Sequence, residues 1–132
     1  MSSKFEMKGY ITASLFVFLF GLTACSKKPA TDKLALLTKR ENKHFPQRLN
    51  DSIVIDSTTF DKATNTKSYF YTVSRGLDDR LFITGNYVSM YNALKEAVRN
   101  SVEMRDYLNA HSTIRYVYYS KSTRQQLAEF KF

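Results

Sequence analysis

The sequence predicts an α+β fold: a small antiparallel sheet of two β-hairpins, in the order β-β-α-α-β-β, with helices packed on one face. Three observations carry that prediction. Two segments rich in β-branched and aromatic residues flank a polar turn over 61–67. A stretch over 86–100 then places apolar residues at helical spacing. Two further alternating segments close the chain.

The first strand is expected over 52–60, where Ile53, Val54, Ile55, Thr58 and Thr59 suit a pleated surface. The polar run 61–67 reads as its turn, and residues 68–73 as the second strand of the hairpin. Residues 74–79 break the pattern. In the helix over 86–100, Met90, Leu94, Ala97 and Ser101 recur on one face, with Tyr87, Tyr91 and Val98 beside them. Ser101 is the expected N-cap of a second helix over 102–109, with Met104, Tyr107 and Leu108 inward. Residues 113–120 form the clearest strand, 121–125 turn the chain, and 127–132 alternate as the last strand. An edge position for that strand would open its backbone to β-augmentation, with Lys131 as a charge that discourages it.

Side chains alternate across a strand, so Tyr69 and Tyr71 share one face, and Tyr116 and Tyr118 share another with Ile114. Arg115 and Tyr119 point the opposite way from Tyr116. One sheet face packs on the helices, which leaves the other to expose aromatics mixed with cations. Tyr69, Tyr71, Arg115, Tyr116, Tyr118 and Tyr119 are therefore the candidate binding surface, since Tyr and Arg are enriched where proteins bind one another. Cross-strand pairing that merely stabilises the sheet is the competing explanation.

No catalytic constellation stands out. His44 and His111 lack metal-ligand partners at useful spacing. Asp78 and Asp79 are adjacent on a loop, which alone makes no acid–base couple. Gly76 and Gly85 are isolated, so no glycine loop cradles a phosphate. The serines sit in no nucleophile elbow. The expectation is a binding protein with no cofactor and no metal, not an enzyme.

The 132 residues suffice for one small domain, and a single cysteine excludes an internal disulfide. That cysteine ends an N-terminal segment of recognisable layout. Lys4 and Lys8 supply positive charge, residues 10–22 carry none, and Leu15, Phe16, Val17, Phe18, Leu19 and Phe20 form an apolar run. The run is short for a membrane span of about 20 residues and suits a secretory signal peptide. The block Leu22-Thr23-Ala24-Cys25 resembles the lipobox of bacterial lipoproteins. The resemblance implies fatty acylation (palmitate or a similar chain) on the Cys25 sulfur and cleavage between Ala24 and Cys25. A thiolate is the nucleophile suited to the thioether, and two or three chains anchor stably where one is marginal.

The expected organisation is thus a signal peptide over 1–24, a lipid-anchored flexible tether over 25–50, and the folded domain over 51–132. A tether of that length spans about 25–30 Å. Within it, Leu34, Ala35, Leu36 and Leu37 could dock on a partner or on the bilayer. Cleavage would remove two lysines and one glutamate, taking the net charge from +8 to about +7. Ser26 after the cysteine, by likeness to the sorting rule of enteric bacteria, implies an outer-membrane, periplasm-facing position in a two-membrane envelope. The partners expected are membrane lipid, through Cys25, and an envelope protein or polymer; nucleic acid is not expected. The function read from all this is a non-catalytic accessory module of the cell envelope. The alternative is an inhibitor or immunity lipoprotein that neutralises an exported toxin or hydrolase.

Overall fold

A computed structural model describes residues 28–132, with side chains from Ala30 onward. The signal peptide, Ala24 and Cys25 lie outside the described residues. The elements are α1 (Lys28–Glu41), a 3₁₀ turn (Asn42–His44), β1 (Gln47–Arg48), β2 (Ile53–Asp61) and β3 (Thr66–Val73). A second 3₁₀ turn (Arg75–Leu77), α2 (Arg80–Gly85), α3 (Tyr87–Asn100), α4 (Arg105–Asn109), β4 (Thr113–Ser120) and β5 (Gln126–Lys131) follow. The five strands form one sheet in the order β1-β2-β3-β4-β5. The α+β class and both hairpins, β2–β3 and β4–β5, match expectation.

Three features of the expected layout are corrected. The sheet is mixed, because β3 and β4 pair in parallel, from Thr66 beside Thr113 to Val73 beside Ser120. A parallel neighbour needs a long crossover, and α2, α3 and α4 supply it. The order β-β-α-α-β-β also omits α1, β1 and α2. Finally, the expected tether is structured from Lys28 onward. Leu34 and Thr38 of α1 are buried, four residues apart, and Thr31, Ala35 and Glu41 flank them on one helical face. Three of those positions, Thr31, Thr38 and Glu41, are polar, which hid the stripe.

Smaller differences have local causes. The inward face of α3 runs through Tyr91, Leu94 and Val98, with Met90 beside it, while Ala97 is exposed. Ser101 is the C-cap of α3, and α4 starts four residues later, at Arg105, with Met104 as its N-cap. Met104, Tyr107 and Leu108 do pack inward. Asp79 caps α2 by accepting hydrogen bonds from the amides of Leu81 at 2.8 Å and Phe82 at 3.4 Å. The β2–β3 turn is held by Asp61, which accepts from the Ala63 amide at 2.8 Å, and by Asn65 at φ 50°, a conformation asparagine tolerates.

All the helices pack on one face of the sheet. Tyr69, Tyr71 and Val73 of β3 meet Ile114, Tyr116 and Tyr118 of β4 on that face, with Phe130 of β5. The opposite face carries Phe70, Thr72, Arg115, Val117, Tyr119 and Glu129, and no described helix covers it.

Candidate binding cleft

Lys67 fixes α1 to the sheet. It alternates with Tyr69, Tyr71 and Val73, so it points into the core, and it is 0 % exposed. Its Nζ donates to Glu41 Oε2 at 2.5 Å and to Thr38 Oγ1 at 3.0 Å. It also lies 4.8 Å and 4.9 Å from the ring centres of Tyr69 and Tyr107. Burial lowers the Lys67 pKa, opposed by its hydrogen bond to, and the charge of, Glu41. The Tyr69 hydroxyl donates to the other Glu41 oxygen at 2.8 Å. Thr38 and Tyr107 hydroxyls meet at 2.8 Å.

Beyond Glu41 the chain turns through His44 and Phe45 into β1, and this turn overhangs the tyrosine floor. A cleft of about 400 Å³ results. Tyr69, Tyr71 and Tyr116 form its floor, Phe45, Leu49, Ile55 and Met104 its apolar walls, and Glu41, His44, Gln47 and Glu103 its polar rim. The Tyr71 and Tyr116 hydroxyls have no hydrogen-bond partner among the described residues, and neither is sealed from solvent. Glu103 likewise has no ion-pair partner among them. Burial raises both phenol pKa values, Tyr116 to about 12, so both groups are neutral donors at physiological pH. A hydrophobic hollow with a few convergent polar groups is the usual form of a binding site.

The candidate surface read from sequence divides between the two sheet faces. Tyr69, Tyr71, Tyr116 and Tyr118 are each less than a tenth exposed and belong to the helix side, so they are not an open surface. The alternation is right; the helices cover the tyrosine face because its larger rings complete the core. Three of the four reach solvent only as the cleft floor. Arg115 and Tyr119 stand on the open face. There Tyr119 stacks on Phe70 with ring centres 6.5 Å apart, Arg115 lies 5.9 Å from the Phe70 ring and pairs with Glu129, and Lys131 lies 3.6 Å from Glu129. A shallower hollow of about 460 Å³ at the end of that face is lined by Asp56, Thr72, Tyr119, Ser120, Lys121 and Arg124.

The rim residues were not found from sequence, except that His44 was weighed as a metal ligand. Among the described residues no group of three or more His, Cys, Asp or Glu side chains could hold a metal. His111 sits on the exposed α4–β4 corner, far along the chain from His44. Asp78 and Asp79 have structural partners: Asp78 accepts from the Ser122 amide at 2.9 Å, and Asp79 is the α2 cap. Strand β5 is an edge. Its Gln126 and Glu129 carbonyls accept from Arg80 at 3.2 Å and from the Tyr87 hydroxyl at 3.1 Å, which partly closes it to another strand.

A family model described as a domain of unknown function, DUF8479, matches residues 29–128, from α1 into β5. The chain belongs to that family. The matched span includes α1, as does the folded unit described above. No curated protein matches the chain. Among solved structures it is similar to a crystal structure of a Pseudomonas aeruginosa protein inferred to be secreted. That likeness has 19 % identity and a TM-score of 0.70, over 80 % of this chain and 90 % of that one, and it is a likeness of fold. A type 2 secretion system pilotin from Vibrio vulnificus aligns at 11 % identity and a TM-score of 0.48, over 79 % of this chain and 91 % of that one, too distant to support a comparison.

Proposed function

We propose that this DUF8479 chain is a lipid-anchored, non-catalytic accessory protein of the cell envelope that holds a partner protein or polymer in the tyrosine-floored cleft. The observation that carries the reading is the cleft itself. It combines apolar walls with two phenol hydroxyls and a carboxylate that have no partner among the described residues, a set suited to holding a ligand. Anchoring through acylated Cys25 would confine the domain beside the membrane and raise its effective concentration for partners there. The lipobox residues Leu22 to Cys25, and Ser26 after them, support an outer-membrane, periplasm-facing position.

The experiment is photo-cross-linking in the native membrane, with the photoreactive residue at Leu49 on the cleft wall and, separately, at Thr59 on the open sheet face. A Cys25→Ala chain runs beside the lipidated one. The expected result is a discrete species captured from Leu49 only, and weakened without the anchor. A single exported enzyme in that species would turn the reading to an inhibitor. Capture from Thr59 alone, or from neither position, would overturn the cleft as the partner site.

A further inference from the structure

We infer that one end of the domain, formed by residues 28–35 of α1, the β2–β3 turn and the α4–β4 corner, is a phospholipid-facing surface. This rests on the Cys25 anchor of the proposed function and adds what the domain does once anchored.

The length of chain between anchor and fold carries the argument. Helix α1 begins at Lys28, three residues after Cys25. Three residues, however extended, reach only about 10 Å. The headgroup layer on each side of a bilayer is itself roughly 5–8 Å deep. A lipid joined to Cys25 through a thioether therefore leaves Lys28 within or just above the headgroups.

Nor is α1 an arm that lets the rest of the domain drift away. Leu34 and Thr38 are buried, and Glu41 is joined to the buried Lys67. The near end is tied as well. Lys62 of the β2–β3 turn pairs with Asp32 at 2.6 Å, and Lys33 pairs with Asp106 of α4 at 3.3 Å. Asn65 then stitches turn to corner: its side chain donates to the Ala110 carbonyl at 2.9 Å and accepts from the Ser112 hydroxyl at 2.6 Å. What the anchor holds down is this whole end of the molecule.

Its chemistry suits headgroup phosphates and not hydrocarbon. Lys33 and Lys62 keep more than half of each side chain in solvent, so phosphate oxygens compete with the aspartates for them. Of the large exposed hydrophobic residues, Leu49, Leu81, Phe82, Tyr87, Val88 and Val102 lie outside this end, and only Leu36 of α1 borders it. Helix α1 is about 20 Å long, so its far end can hold the cleft clear of the headgroups that the near end touches.

The test uses the full-length, lipidated protein in vesicles of phosphatidylethanolamine and phosphatidylglycerol that contain a headgroup-quencher lipid. Because the Cys25 sulfur is acylated, a cysteine introduced at Ala63, Asn109, Leu81 or Lys121 is the only thiol open to a fluorophore. The expected result is strong quenching at Ala63 and Asn109 and none at Leu81 and Lys121. A flexible 15-residue insertion between Lys27 and Lys28 should abolish that quenching while the protein still floats with vesicles. Equal quenching at all four positions, or strongest quenching at Leu81, overturns the surface and leaves the anchor standing. A chain whose mass shows no acylation of Cys25 overturns both.

Discussion

Lys67 is a charged residue sealed in the core of a small domain, so its partner decides whether the fold tolerates it. Removing one member of a buried ion pair leaves the other uncompensated, which commonly costs about 3–5 kcal/mol, whereas an apolar replacement of similar volume can be nearly neutral. Glu41→Ala should therefore destabilise the domain by about 3 kcal/mol or more, and Lys67→Met by clearly less. Urea denaturation of the unlipidated Cys25→Ala chain measures both. Equal losses, or a Glu41→Ala loss under about 1 kcal/mol, would mean that water and not Glu41 satisfies the lysine. Neither residue was legible as a core residue. Lys67 continues the two-residue alternation of Tyr69, Tyr71 and Val73, but its charge and the polar run before it made it read as turn. Glu41, 26 residues earlier, lies in a basic stretch with no resemblance to a core helix.

At the scale of elements, the stretches that alternate or repeat strongly were legible, and β4 coincides with its predicted bounds. Helix α1 was not, because its inward face includes the polar Thr31, Thr38 and Glu41, and the partners of the last two are contributed by other elements. The structure makes that helix part of the core. Leu34→Ala should cost about 2–5 kcal/mol, the range for deleting a buried leucine side chain, and a tether would show no change. The parallel pairing of β3 and β4 was missed for another reason. Two alternating strands separated by helices fit either direction, and the choice depends on which end of the sheet the crossover returns to. Helix α2 depends on its cap: Asp79→Ala should cost about 1 kcal/mol and preferentially raise amide exchange over Arg80–Gly85. Uniform acceleration across the sheet would instead show that α2 opens only with the whole domain.

The molecule as a whole is built around a layer of tyrosines, and that layer predicts how it fails. Tyr69 lies opposite Tyr116 and Tyr71 opposite Tyr118 on the parallel pair, with ring centres 5.5 Å and 4.8 Å apart. Sequence alternation correctly put Tyr69 with Tyr71 and Tyr116 with Tyr118, and the parallel β3–β4 pairing brings the two pairs together. It could not say which sheet face the helices cover, because Phe70, Val117 and Tyr119 make the other face apolar too. Burial raises the pKa of all four phenols, that of Tyr116 to about 12 and the others further. In the unfolded chain each ionises near pH 10, so above that pH the unfolded state loses protons first and stability falls as pH rises. Lys67 has the opposite sign: its lowered pKa lets stability rise with pH toward its unfolded value near 10.5, and above that pH it adds nothing further. Each phenol costs about 1.4 kcal/mol per pH unit, so four together cost about 11 kcal/mol over two units, comparable to a typical domain stability of about 5–15 kcal/mol. The domain should therefore unfold in one cooperative step between about pH 11 and 12, with phenolate absorbance and loss of circular dichroism coinciding. Phenolate appearing gradually, with the dichroism of the folded state intact, would show that the tyrosine layer is open to water and that the sheet is held together without it.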